Sequence, residues 1–124
     1  MKNFLKVKIV SVSLLLLVFT SCNFMRSGIG FTVINTSGEP IENIKIYTTE
    51  KLDFTVFVEI PSTEKKTGFL SMKKNETDGA YWVEFTRKNG EVIKSKGGYY
   101  TNGRSLNQWM SIHIEKDTVF MKFR

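Results

Sequence analysis

The chain has 124 residues with 18 basic and 12 acidic side chains, a net charge of +6, and Cys22 as its single cysteine. The part that follows Cys22 is long enough for one hydrophobic core but not for two domains. The pairs Lys65-Lys66 and Lys73-Lys74 are flanked by Glu64 and Glu76 and form no basic tract, so the sequence gives little support to nucleic-acid binding. One cysteine excludes an intrachain disulfide and a cysteine-based zinc set.

The first predicted element is an export signal. Lys2, Lys6 and Lys8 precede an apolar run at 9–19, and small residues follow that run. The run is too short to span a bilayer, which needs about 20 predominantly apolar residues. We therefore expect residues 1–21 to be a cleaved signal peptide, whose removal takes away three lysines and lowers the net charge to +3.

The hexapeptide Leu17-Val18-Phe19-Thr20-Ser21-Cys22 resembles the lipobox of bacterial lipoproteins. The resemblance implies cleavage before Cys22 and a lipid on its sulfur, which would hold the protein at a membrane. Residues 22–28 would then be a short tether and residues 29–124 a single domain. Because no acidic run follows Cys22, we expect an anchor in the bacterial cell envelope that faces the periplasm.

Alternation of apolar and polar residues between turn signals predicts seven short strands and an eighth. They are Gly30–Asn35, Asn43–Thr48, Phe54–Ile60, Gly68–Met72, Ala80–Arg87, Trp109–Glu115, Thr118–Phe123 and, as the eighth, Glu91–Lys96.

Turn residues separate these strands. Asn89-Gly90 is the clearest signal for a two-residue hairpin, and Ser37-Gly38, Asp78-Gly79 and Asn102-Gly103 also tolerate positive φ. The pattern predicts an all-β fold, a small antiparallel β-sandwich of the immunoglobulin-like or a related type. The segment 31–41 is similar to the first hairpin of immunoglobulin-like modules.

The same alternation assigns side chains to the two sides of each strand. We predict a core made of Ile44, Ile46, Phe54, Val56, Val58, Ile60, Tyr81, Val83, Phe85, Met110, Ile112, Ile114, Val119, Met121 and Phe123. Four aromatic residues fall on the opposite, outward side: Phe57, Trp82, Trp109 and Phe120. They are either cross-strand pairs that stabilise the sheet or anchors of a binding face for a protein or a glycan.

The segment 97–109 is the best candidate recognition loop, because it combines glycines with Tyr99, Tyr100, Asn102 and Arg104. It is alternatively an ordinary connection whose tyrosines pack on the sandwich edge. His113 is the single histidine and has no ligand or nucleophile partner in the sequence, so a structural role is favoured.

We therefore expect no catalytic residues, no metal and no cofactor. The sequence favours a membrane-tethered, non-catalytic binding or accessory module of the envelope. An immunity or inhibitor lipoprotein that neutralises a toxin or hydrolase is the alternative. An enzyme is the third hypothesis and has the least support.

Overall fold

The structure, a computed structural model, describes residues 27–124, which form nine β-strands and no helix. The predicted signal peptide, Cys22 and the residues that follow it to Arg26 lie outside the described residues. The strands are β1 Gly28–Asn35, β2 Ile41–Thr48, β3 Phe54–Ile60, β4 Lys65–Ser71, β5 Gly79–Thr86, β6 Val92–Thr101, β7 Arg104–Ser105, β8 Trp109–Ile114 and β9 Val119–Phe123.

The strands form two sheets that enclose one core, which confirms the predicted all-β sandwich. One sheet has the order β4-β1-β8-β9 and the other β3-β2-β5-β6-β7. Neighbouring strands pair antiparallel except β1 and β8, which are parallel. Because β1 and β8 are far apart in sequence, this pairing ties the beginning of the domain to its last third.

The core forms where the alternation is strict. In β5, Tyr81, Val83 and Phe85 are fully buried, and Met110, Ile112 and Ile114 of β8 are buried opposite them, as predicted. The inward residues of β9 are only partly buried and pack against this core, because β9 is an edge strand. Core residues outside the predicted set include Ile29, Phe31, Val33, Ile41, Leu70, Met72 and Tyr100.

The side assignment in β3 is wrong for most of the strand. Phe54, Val56 and Val58 are 50%, 55% and 83% exposed, whereas Phe57 packs against the core with its ring 6.1 Å from that of Phe31. The register with β2 is the reason, since it places Phe57 opposite the buried Ile44. Ile60, also in the predicted core, is buried.

The segment 31–41 is not a hairpin, because β1 and β2 belong to different sheets. The buried Asn35 stabilises this crossing between sheets. Its side-chain N–H groups donate to the carbonyls of Glu39 (2.8 Å) and Ile60 (3.0 Å), and its oxygen accepts from the Ser37 hydroxyl (2.7 Å). The expected likeness to the first immunoglobulin hairpin is therefore wrong.

Two turns differ in type from the expectation. At Asn89-Gly90, the Arg87 N–H donates to the Glu91 carbonyl and the Gly90 N–H to the Arg87 carbonyl, so the loop has three residues and Gly90 takes positive φ. The two-residue hairpin lies at Asn102-Gly103, where both residues have positive φ between the paired Thr101 and Arg104. That geometry belongs to a type I′ turn.

Candidate functional site

The eight residues predicted as candidate binding residues do not form one surface. Trp82 lies on the outer side of the five-stranded sheet, while Trp109 and Phe120 lie on the outer side of the other sheet. Tyr99, Asn102 and Arg104 lie at one end of the sandwich, where β6 meets β7. Phe57 packs inward and Tyr100 is fully buried. The idea of a single aromatic face combining Trp82 and Trp109 is therefore wrong.

The outer side of the four-stranded sheet is well packed. Trp109 pairs with Gly30 of β1, and its ring occupies the place of the missing side chain, since a Cβ on Gly30 would lie 2.4 Å from ring carbons. His113 stacks on Phe120 at 4.6 Å between ring centroids with an interplanar angle of 2°. These contacts favour a structural role for Trp109, His113 and Phe120.

The segment 97–109 is largely strand and not a loop. Residues 97–101 belong to β6 and residues 104–105 to β7, so only 102–103 and 106–108 connect strands. The ring of Tyr100 is buried and its hydroxyl donates to the partly exposed Glu50 at 2.8 Å, and burial raises the pKa of Tyr100. Tyr99 is 51% exposed and donates to Asp78 at 3.1 Å, a bond that raises its pKa.

The outer side of the five-stranded sheet is the most open apolar surface within the described residues. We name it the exposed sheet face, and it comprises Lys45, Tyr47, Phe54, Val56, Val58, Trp82, Glu84, Thr86, Val92, Lys94 and Lys96. Four of the seven large hydrophobic side chains that are exposed between Ser27 and Arg124 belong to it. Such clustering is characteristic of interaction surfaces.

An aromatic row crosses this face near one end. Cross-strand pairing aligns Phe54, Tyr47, Trp82 and Lys96. The Tyr47 ring lies between its neighbours, with centroids 5.2 Å from Phe54 and 6.4 Å from Trp82, so Tyr47 is only 5% exposed and burial raises its pKa. The Lys96 ammonium lies 5.6 Å from the Trp82 ring centroid, and the Trp82 indole N–H donates to Thr49 at 3.2 Å. The row is thus a fixed platform.

A charged row lies beside the aromatic one. Glu84 is flanked by Lys94 at 3.5 Å and Lys45 at 4.0 Å, and Lys45 pairs across the strands with the exposed Val56. Because both lysines are about half exposed, these ion pairs contribute little to stability. Their effect is to leave an excess of positive charge beside apolar side chains.

A shallow depression of about 260 Å³ opens on the same face, and it is lined by Asn43, Lys45, Val56, Glu84, Thr86 and Val92. The lining contains no cysteine, serine or histidine that could serve as a nucleophile or base. Within residues 27–124, no group of acidic or histidine side chains is placed to hold a metal ion, and no helix is long and apolar enough to cross a membrane. The depression offers apolar contact from Val56 and Val92 and polar or charged contact from its other side chains.

Sequence alternation missed the exposed valines because β3 has apolar residues on both sides, and it missed the change of inward side that β2 makes at Asn43. Asn43 has φ of 52°, the pairing with β5 shifts there, and the buried Ile41 and Ile44 are three residues apart. That spacing of two isoleucines was a readable signal of a β-bulge, since strict alternation allows only even separations.

Comparison with known proteins identifies the fold and goes no further. No family model matches the chain, and no curated protein matches it. The chain is similar to a solution NMR structure of a protein from Eubacterium rectale, with a TM-score of 0.54 and 14% sequence identity over 78% of this chain and 88% of that one. At this identity the likeness concerns the fold alone.

Proposed function

We propose that this protein is a lipid-anchored module of the bacterial cell envelope that binds a partner protein through the exposed sheet face and catalyses no reaction. One observation carries the proposal. Phe54, Val56, Val58 and Val92 are each at least half exposed on one side of one sheet. Water contact with this much apolar surface is unfavourable, so a partner that covers it gains free energy.

The chemistry of the face favours a protein over a glycan. Aliphatic side chains form much of the open surface, and the flat ring of Trp82 is shared by Tyr47 and Lys96. A sugar would need an open aromatic ring to stack on. Aliphatic and aromatic side chains with lysines at the border suit an apolar protein surface with acidic residues around it.

The sequence before Cys22 supports the proposed location in the cell envelope. The basic, apolar and small segments before Cys22 resemble a lipoprotein signal, and acylation would use the single thiol of the chain. Under this proposal the domain is held at the membrane on the periplasmic side, with the exposed sheet face available to envelope proteins.

Crosslinking capture from envelope extracts tests the binding proposal. The lipidated protein is compared with Val56→Asp, which places a charge among the exposed apolar side chains of edge strand β3. Thr67→Asp is the matched control, because it introduces the same charge at an exposed position of edge strand β4 on the other sheet.

We expect the native protein and Thr67→Asp to capture the same partner and Val56→Asp to lose it, with all three showing the same circular dichroism spectrum. Equal capture by both variants would exclude the exposed sheet face as the binding surface. If the captured protein is a toxin or a hydrolase, the module acts as an immunity or inhibitor protein.

A further inference from the structure

The chain enters the domain at one end of the sandwich, where several connections between strands also lie. We name this end the tether end, and it consists of Ser27, the connections at 49–53, 72–78, 102–103 and 106–108, and the adjoining Arg104 and Arg124. Backbone bonds hold these segments together: the Met72 N–H donates to the Ser27 carbonyl (3.0 Å), Gly103 to Thr77 (2.7 Å) and Gly30 to Gln108 (3.1 Å). Four residues lie between Cys22 and Ser27, so the five Cα–Cα steps of the tether reach at most about 18 Å.

The tether end exposes apolar side chains that the opposite end lacks. Leu52 is 43% exposed and Leu106 is 62% exposed, both in connections between strands. The connections of the opposite end, at 36–40, 61–64, 87–91 and 115–118, contain no exposed large hydrophobic side chain. The two ends of the described domain therefore differ in the property that governs contact with a lipid interface.

Charge distinguishes the tether end as well. Three of its four acidic side chains are engaged within the domain, and the fourth, Glu76, is exposed. Glu50 accepts the backbone N–H groups of Glu76 (3.0 Å) and Thr77 (3.1 Å), and Asp78 accepts the N–H of Asn102 (2.8 Å). Asp53 lies 3.9 Å from Lys74.

Most basic side chains of the tether end have no partner within the described domain. The side chains of Lys51, Lys73, Arg104 and Arg124 are exposed and have no hydrogen bond or ion pair with any described residue. They are available to phosphate groups outside the protein.

The tether end is also held in shape by hydrogen bonds between side chains. The Asn75 side chain donates to Thr48 at 2.8 Å, and the Tyr100 hydroxyl donates to Glu50 at 2.8 Å. Backbone N–H groups and the tyrosine stabilise the Glu50 carboxylate, which lowers its pKa. The exposed leucines thus project from a fixed frame.

We propose that the tether end rests on the phospholipid headgroup layer, with Leu52 and Leu106 in the lipid interface and the free cations next to lipid phosphates. This inference depends on the lipid anchor of the proposed function. In this orientation the strands stand away from the membrane and the exposed sheet face opens sideways, toward partners at the same membrane.

Fluorescence of site-specifically labelled protein tests the orientation. Because acylation uses Cys22, an introduced cysteine provides the single free thiol for an environment-sensitive dye. Leu52→Cys and Leu106→Cys place the dye at the tether end, and Lys116→Cys is the control at the opposite end. The lipidated proteins are reconstituted into vesicles of phosphatidylethanolamine and phosphatidylglycerol, and flotation is checked first.

We expect emission at positions 52 and 106 to shift to shorter wavelength and emission at 116 to stay as in water. Lys73→Glu with Arg104→Glu should reduce the shift, while Lys65→Glu with Lys66→Glu should leave it unchanged. Water-like emission at 52 and 106 in protein that floats with the vesicles would overturn the orientation alone. Failure to float would overturn the lipid anchor and the orientation with it. A shift that requires added envelope proteins would assign this end to a protein partner and overturn the lipid contact.

Discussion

The outer sides of the two sheets each carry one tryptophan, and the two tryptophans have different surroundings. Trp109 covers Gly30 within a side of the four-stranded sheet that has no exposed large hydrophobic side chain among the described residues. Trp82 belongs to an aromatic row beside Phe54, Val56, Val58 and Val92, which are open to solvent. The residue type alone therefore does not identify a binding surface; the cross-strand neighbours do.

The strand registers explain why the outer sides of the two sheets differ. On the four-stranded sheet, a glycine opposite a tryptophan lets the ring lie flat against the backbone. On the five-stranded sheet, the register pairs the edge-strand residue Val56 with Lys45, and Val56 and Val58 remain exposed. One sheet covers its outward apolar groups with its own side chains, and the other leaves them exposed to solvent.

The largest expected effect separates the two sides of β3. Phe57→Ala should lower the free energy of unfolding by about 3 kcal/mol, because it removes a ring packed against the core. Val58→Ala on the open side should change it by less than about 0.5 kcal/mol. Urea denaturation followed by fluorescence measures both, and similar losses would contradict the side assignment.

The packing of Trp109 on Gly30 should give a coupled effect. Gly30→Ala should cost about 2 kcal/mol, since the new methyl group collides with the ring. In a Trp109→Ala background the same substitution should cost far less, because the collision is gone. A double-mutant cycle by chemical denaturation checks this, and additive losses would argue against the covering role of Trp109.

A pH series should change the stability that Glu50 contributes at the tether end. The pKa of Glu50 is lowered chiefly by the N–H of Glu76, so the folded state holds its proton less tightly than the unfolded chain. Its stabilising contribution is complete above the ordinary pKa of 4.5 and is lost as the pH falls through the lowered value. Glu50→Gln should flatten the loss of stability in acid, measured by thermal unfolding between neutral pH and pH 3; an unchanged slope would contradict it.

The smallest expected effect concerns the charged row of the exposed sheet face. Lys94→Ala should change the free energy of unfolding by less than about 0.5 kcal/mol, because its ion pair with Glu84 is largely solvated. It should nevertheless weaken partner capture at low salt, where the lysine attracts acidic groups of the partner. Salt-dependent binding assays measure this, and equal capture at all salt concentrations would exclude a role for Lys94.

Much of the strand pattern could be predicted from local alternation. The bounds of β3 match the prediction, and the inward residues of β5 and β8 are buried as expected. The prediction is correct for β5 and β8 because nearly all of their apolar residues lie on a single side of the strand. The side assignment is wrong for β3 because this strand has apolar residues on both sides. The pairing of Phe57 with the buried Ile44 of β2 decides which side faces the core.

The candidate site depended on such distant pairing and was therefore only partly readable. Tyr100 lies next to Tyr99 in the sequence, yet the pairing of β6 with β5 shifts near Gly79, and Tyr100 is buried beside Glu50 while Tyr99 stays exposed. Trp82 and Trp109 both lie on outward sides, as alternation predicts. Their separation onto opposite sides of the molecule follows from strand order, which alternation does not encode.

The most direct test of the proposed binding surface is photo-crosslinking in intact cells with a photoreactive amino acid at one position at a time. Position 56 lies on the exposed sheet face, and position 67 lies at the equivalent edge of the other sheet. We expect a discrete crosslinked product from position 56 and none from position 67. A product from position 67 alone, or equal products from both positions, would contradict the assignment of binding to the exposed sheet face.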